Sequence, residues 1–212
     1  MSLVSDCCEP GSFDGASNTY RRALIAVIVI NGVMFAVEMI AGYVSGSQAL
    51  QADALDFFGD TLTYSITLLV IGMPLIWRAR AALFKGLSLG AMGLWVLGST
   101  GYHILFKDVP QAEVMGAIGF LALIANLISV LLLLKYRDGD ANVRSVWLCS
   151  RNDAIGNCAV ILAASGVWVT NTAWPDLIVA GIMASLFLWS STQILRQASA
   201  EIRMARAMPE AT

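Results

Sequence analysis

The 212 residues are 58% hydrophobic and 13% charged, and the mean hydropathy is +0.71, well above that of ordinary globular chains. That composition excludes a water-soluble domain and identifies a membrane protein. No nucleic-acid partner is expected, and the formal net charge of -2 says little more.

Residues 1–20 are polar and end in SNTYRR, without the apolar run a cleavable leader requires, so they are expected to form a short cytosolic tail. Cys7, Cys8 and Glu9 in that tail read either as a disordered segment or as a capture point for soft metal. Apolar runs of spanning length follow at 23–44, 54–77, 86–106, 114–134, 145–174 and 177–195. Long uniformly apolar runs mark helices, whereas a barrel shows weak alternation, so the expected fold is all-α: a polytopic membrane protein with six transmembrane helices. Residues 21–197 are expected to form the six-helix membrane domain, and 198–212 a short cytosolic C-terminal tail. Arg21, Arg22, Arg78, Arg80, Lys85, Lys135, Arg137, Arg144, Arg196, Arg203 and Arg206 all fall on one side of these spans, and the other side holds only Lys107. Both termini are therefore expected in the cytoplasm, with the bilayer as the chain's surroundings; the expected location is a bacterial inner membrane. Cys7 and Cys8 then lie on the reducing side, and Cys149 and Cys158 lie inside span 5, so no disulfide is expected.

Span 1 carries Asn31 and Glu38, seven apart on a similar face. Glu38 reads as a proton carrier, an entry-path ligand or a buried acid paired with neighbours. Span 2 opens with ADALDFFGD, in which Asp53, Asp56 and Asp60 are spaced three and four apart and so share one helical stripe. A charge at the bilayer centre costs on the order of 3 kcal/mol or more, so the stripe needs protons, a cation or a water-filled cavity. Asp53 is nearest the outer end, where solvation or helix capping explains it as well as a supporting role does. In span 3, Gly86 and Gly90 form a small-xxx-small pattern that suits close packing within the chain or a homodimer through transmembrane helices. His103, near the outer end, reads as an interfacial residue, and Asn126 in span 4 as hydrogen-bonding glue.

Span 5 contains WLCSRNDAIGNCAVILAA, in which Cys149 and Asp153 are again four apart. Two helical i, i+4 pairs bring four donors together, the number a tetrahedral Zn2+ or Cd2+ requires, and the thiolate shifts preference from hard cations toward these softer ones. Taken singly, Cys149 reads as small apolar filler and Asp153 as a partner of Arg151. Asn157, four after Asp153, reads as glue or as a support for the ligands. Arg151 points away from the Cys149–Asp153 face, toward lipid phosphate or another helix, with a counter-charge role left open.

VEMIAGYVSGSQALQADALDFFGDTLTYSITLL and the span 5 motif together resemble the cation diffusion facilitators, which export divalent metals in exchange for protons. The family's transport site uses a His or Asp followed four residues later by Asp on helix 2, and a His followed by Asp on helix 5. The resemblance thus implies Asp56, Asp60, Cys149 and Asp153 as metal ligands, with Cys149 in the place of a histidine. Members typically carry a cytosolic metal-binding domain after helix 6 and often a histidine-rich loop between helices 4 and 5. A short form lacking that domain is expected here, and the loop KYRDGDANVR has no histidine.

Four ionised ligands around one dication would leave two negative charges, so one proton is expected to stay. Acids that hold protons when empty and a dication when loaded make the two cargoes competitors for one site, which is antiport. The expected function is efflux of Zn2+ and/or Cd2+, with Co2+, Ni2+, Mn2+ and Fe2+ as further candidates, H+ as counter-ion and no prosthetic group or enzymatic activity. A membrane metal sensor or assembly partner that binds without transport is the alternative. An intramembrane aspartyl protease stands further off, since FFGD lacks the GxGD context of such enzymes.

Overall fold

The computed structural model describes residues 17–70, 75–106, 109–136 and 141–207. Among them there are six long helices and no strand: α1 (Asn18–Ser45), α2 (Gln48–Val70), α3 (Leu75–Phe106), α4 (Ala112–Leu133), α5 (Ala141–Thr170) and α6 (Trp174–Ala207). A single 3-10 turn over Leu134–Tyr136 extends α4.

The sequence sets these elements through caps and turns as much as through apolarity. Ser17 opens α1 by accepting a hydrogen bond from the Tyr20 amide at 3.2 Å, and α1 closes on Gly46 in the left-handed conformation at φ 75°. Asn171 takes the same role after α5, with φ 51° and its amide donating to the Val167 carbonyl at 2.8 Å. These two turns allow antiparallel neighbours to follow with almost no loop.

Buried positions recur at helical spacing. On α1 they are Tyr20, Leu24, Val27, Asn31, Met34, Glu38, Gly42 and Ser45, and on α4 Met115, Gly119, Ala122, Asn126, Ser129 and Leu133 fall three or four apart. The polar residues thus sit on the inward faces. Large apolar side chains face outward instead, among them Val33, Ile40, Leu131, Leu162, Trp168 and Trp189. So wide an apolar exterior is untenable in water and is what lipid contact requires.

Among the described residues, five of the helices are long and apolar enough to span a membrane; α2 as described, with Gln48, Gln51 and three aspartates, is not among them. It is held instead by its neighbours. α1 packs on α2 and α4, and α4 and α2 both pack on α5, closing a four-helix bundle. α3 and α6 form a second, closely packed pair that meets the bundle along α2 and α5.

The pair is tight because α3 presents glycines to α6. A Cβ added at Gly86 would lie 2.9 Å from Leu195, and one at Gly93 would lie 3.0 Å from Leu188. The Ser191 hydroxyl donates to the Gly86 carbonyl at 2.7 Å. Gly86 and Gly90 therefore serve packing within the chain.

Helix ends differ from the apolar runs. α2 begins at Gln48 rather than near 54, α3 begins at Leu75 and so includes Arg78, Arg80 and Lys85, and α6 continues to Ala207. Hydropathy locates where lipid begins; backbone hydrogen bonding continues past that point wherever the end groups find partners.

Candidate metal centre

The seam between the bundle and the α3–α6 pair opens into a cavity of about 420 Å3. Its polar wall is made by Asp56 and Asp60 of α2, Asn152 and Asp153 of α5 and Lys85 of α3, and its apolar wall includes Met183 and Phe187 of α6. The lining extends along α3 to Lys85 and along α6 to Ile194, toward the face on which α1 begins and α6 ends.

Asp56 and Asp60 reach the cavity together because a four-residue step brings them back to the same side of α2. Asp153 meets them from α5, its carboxyl within hydrogen-bonding reach of both. The Tyr64 hydroxyl, one turn beyond Asp60, donates to the Asp60 carboxylate. The Lys85 ammonium of α3, on the same polar wall, bears on Asp60 electrostatically. Three acids from two helices thus share one half-buried chamber with a cation, and a buried phenol outside its lining donates to one of them. Among the described residues, no three His, Cys, Asp or Glu side chains are already closed round a single point as a metal shell. The carboxyls instead lean on one another across the chamber, as acids do when protons are shared among them.

Cys149 lies on α5 one turn before Asp153, which places it on the same helical side, but its side chain falls outside the described residues. Asp53 does not line the cavity. It is buried against Glu38 of α1, with the two carboxyls within hydrogen-bonding reach. Asn157 is also buried, and neither atom of its amide has a hydrogen-bond partner. Arg151 is exposed and does not line the cavity; it donates at 3.4 Å to the side chain of Asn152, which does. Cys7, Cys8 and Glu9 lie outside the described residues.

Lys85 is the residue sequence reasoning missed. Its position beside Arg78 and Arg80 made it one more basic residue on the cytosolic side, whereas α3 carries it onto the cavity wall. Its spacing from an apolar run gave no signal, because the partner that matters is on another helix.

The match of the chain to the family model for the cation efflux transmembrane domain covers residues 24–73 and 78–202. The chain belongs to the cation efflux family. It is an integral protein of the bacterial inner membrane type, surrounded by lipid. It is similar to the metal cation efflux system protein CzcD of Cupriavidus metallidurans, 27% identical over 196 residues that cover 86% of this chain and 61% of the relative. A cadmium, cobalt and zinc/H(+)-K(+) antiporter of Bacillus subtilis is 24% identical over 191 residues, covering 82% of this chain and 60% of the relative. The zinc transporter ZitB of Escherichia coli is 28% identical over 198 residues, covering 87% and 63%. The chain therefore spans about three fifths of the length of these relatives.

Proposed function

We propose that this chain exports divalent transition-metal cations, Zn2+ and/or Cd2+, from the cytoplasm by proton-coupled antiport, with residues 21–197 as the transport domain. The observation that carries the reading is the convergence of Asp56, Asp60 and Asp153, from two helices, on one cavity. The names of the relatives, a cation efflux protein, a zinc transporter and a cadmium, cobalt and zinc antiporter, point the same way.

The mechanism follows from the groups on the wall. A cation entering from the cytosolic half replaces the protons that hold the three carboxyls together, and Cys149 contributes a thiolate as fourth donor. Three carboxylates are balanced by one dication and the Lys85 ammonium, so the added thiolate is the charge that keeps a proton in the loaded site. Lys85 takes the counter-charge role in this reading, and Arg151, exposed and turned to Asn152, does not. Tyr64 orients Asp60, as outer hydrogen-bond partners orient ligands generally. Rocking of the α3–α6 pair against the four-helix bundle then moves access from one face to the other around a fixed site. Gly86 and Gly90 being engaged with α6, a homodimer would use other lipid-facing surfaces.

Flux into proteoliposomes under a pH gradient tests the reading. Wild-type protein is expected to exchange Zn2+ or Cd2+ for protons saturably. Asp60→Asn should lower that flux by more than about 100-fold, the upper end of what losing even a supporting partner costs a metal site, with the fold retained by circular dichroism. Tight metal binding without flux would make the chain a sensor instead, and peptide cleavage lost in Asp153→Asn would make it a protease. Cys149→His should weaken Cd2+ relative to Zn2+ in the same assay; an unchanged ratio would remove the thiol from the ligand set.

A further inference from the structure

At the face opposite both termini, α2 does not end freely. Ser47, just before its first turn, accepts from the Leu50 amide at 3.0 Å, and Asp176 of α6 covers the other amides of that turn. The Asp176 carboxylate accepts from the Gln48 amide at 2.8 Å, from the Ala49 amide at 3.0 Å and from the Ser47 hydroxyl at 2.6 Å. Gln48 extends the joint to α3: its carbonyl accepts from the Ser99 hydroxyl at 2.6 Å, and its amide lies 3.2 Å from Nε2 of His103. His103 Nδ1 is 2.9 Å from the Ser99 carbonyl, so Nδ1 carries the proton and Nε2 accepts from Gln48. Asp176 and Gln48 are both buried, at 1% exposure.

This joint bridges the two bodies of the fold, since α2 belongs to the bundle and α3 and α6 form the pair. Between it and the carboxyl cavity lies an apolar layer from the same three helices, in which Ala52 of α2, Val96 of α3 and Ala180 and Ala184 of α6 are buried together. From Gln48 to Asp56 is about 12 Å along the helix axis, at 1.5 Å per residue. The seam is thus open toward the cytosolic half, sealed by an apolar layer above the carboxyls, and fastened beyond that layer by a carboxylate on backbone amides.

We infer that Asp176 fastens the outer gate: its bonds to Ser47, Gln48 and Ala49 must break for a cation at Asp56, Asp60 and Asp153 to leave on the outer side. The inference rests on the transport reading. The layer meets α6 through the small Ala52, Ala180 and Ala184, while Met183 and Phe187 of the same cluster face the cavity, so opening on the outer side parts alanines first. Asp176 acts by positioning α2 against α6 and touches no cargo.

A reversible cross-link tests it. In the Ser47→Cys, Asp176→Cys double variant, oxidation to the disulfide should lower Zn2+ flux by at least tenfold, and a reductant should restore it. Zn2+ binding to the oxidised protein in detergent should persist, because the cytosolic half of the cavity stays open. Undiminished flux through the oxidised form would overturn the inference. If the reduced double variant itself carries no flux, labelling decides: Ala52→Cys, in the presence of Asp176→Asn, should react several-fold faster with an impermeant maleimide from the outer face than with Asp176 intact, and equal rates would overturn it. Absence of flux in the wild type would strike the transport reading alone, since the labelling comparison needs no cargo.

Discussion

Glu38 and Asp53 show what a single buried group demands of its surroundings. Glu38 is 0% exposed, and neither of its carboxyl oxygens has a conventional donor, so the facing Asp53 carboxyl is its companion. Two such acids coexist by holding a proton between them, one accepting from the other. Glu38→Gln places an amide donor where that proton stands and should leave thermal stability in detergent nearly unchanged. Glu38→Leu strips Asp53 of its partner and should cost about 1–3 kcal/mol, the penalty of a buried polar group left unpaired, read as a lower unfolding midpoint. A wild-type midpoint for the leucine variant would show that Asp53 finds another donor. Asp56, Asp60 and Asp153 were legible in the sequence because periodicity alone puts each on a defined helical side. Asp53 shared the stripe yet turned to α1, and Lys85 and Asp176 were illegible, because their partners are set by which helices meet.

Where α3 meets α6, the helices have exchanged side-chain volume for proximity. A Cβ at Gly93 would sit 3.0 Å from Leu188 and 3.1 Å from Phe187, so both must shift to admit any side chain there. Gly93→Leu is expected to force the pair apart at a cost of about 1–3 kcal/mol, as overpacking does; Gly98→Ala, with nothing within 4 Å of the new atom, is the matched control. Equal melting of both variants in detergent would mean the pair tolerates a wider spacing. The number and order of the helices followed from hydropathy, since each apolar run found its helix. Their ends did not, and α2 gives the reason: its first turn is made of Gln48 and its neighbours because Ser47 and Asp176 accept those amides, a contribution no apolarity scale registers.

Across the entire fold, the division into a four-helix bundle and a two-helix pair has no signature in the linear chain, because α3 and α6 are separated by two helices of the other body. Only the docking of inward faces reveals it, and both the carboxyl cavity and its outer fastening lie along that division. α2 brings one further consequence, for biogenesis. Its N-terminal part carries Gln48, Gln51 and three aspartates, and it follows α1 after a turn of only Gly46 and Ser47. So short a connection favours entry into the membrane as one hairpin, the oily first arm lying alongside the acidic second.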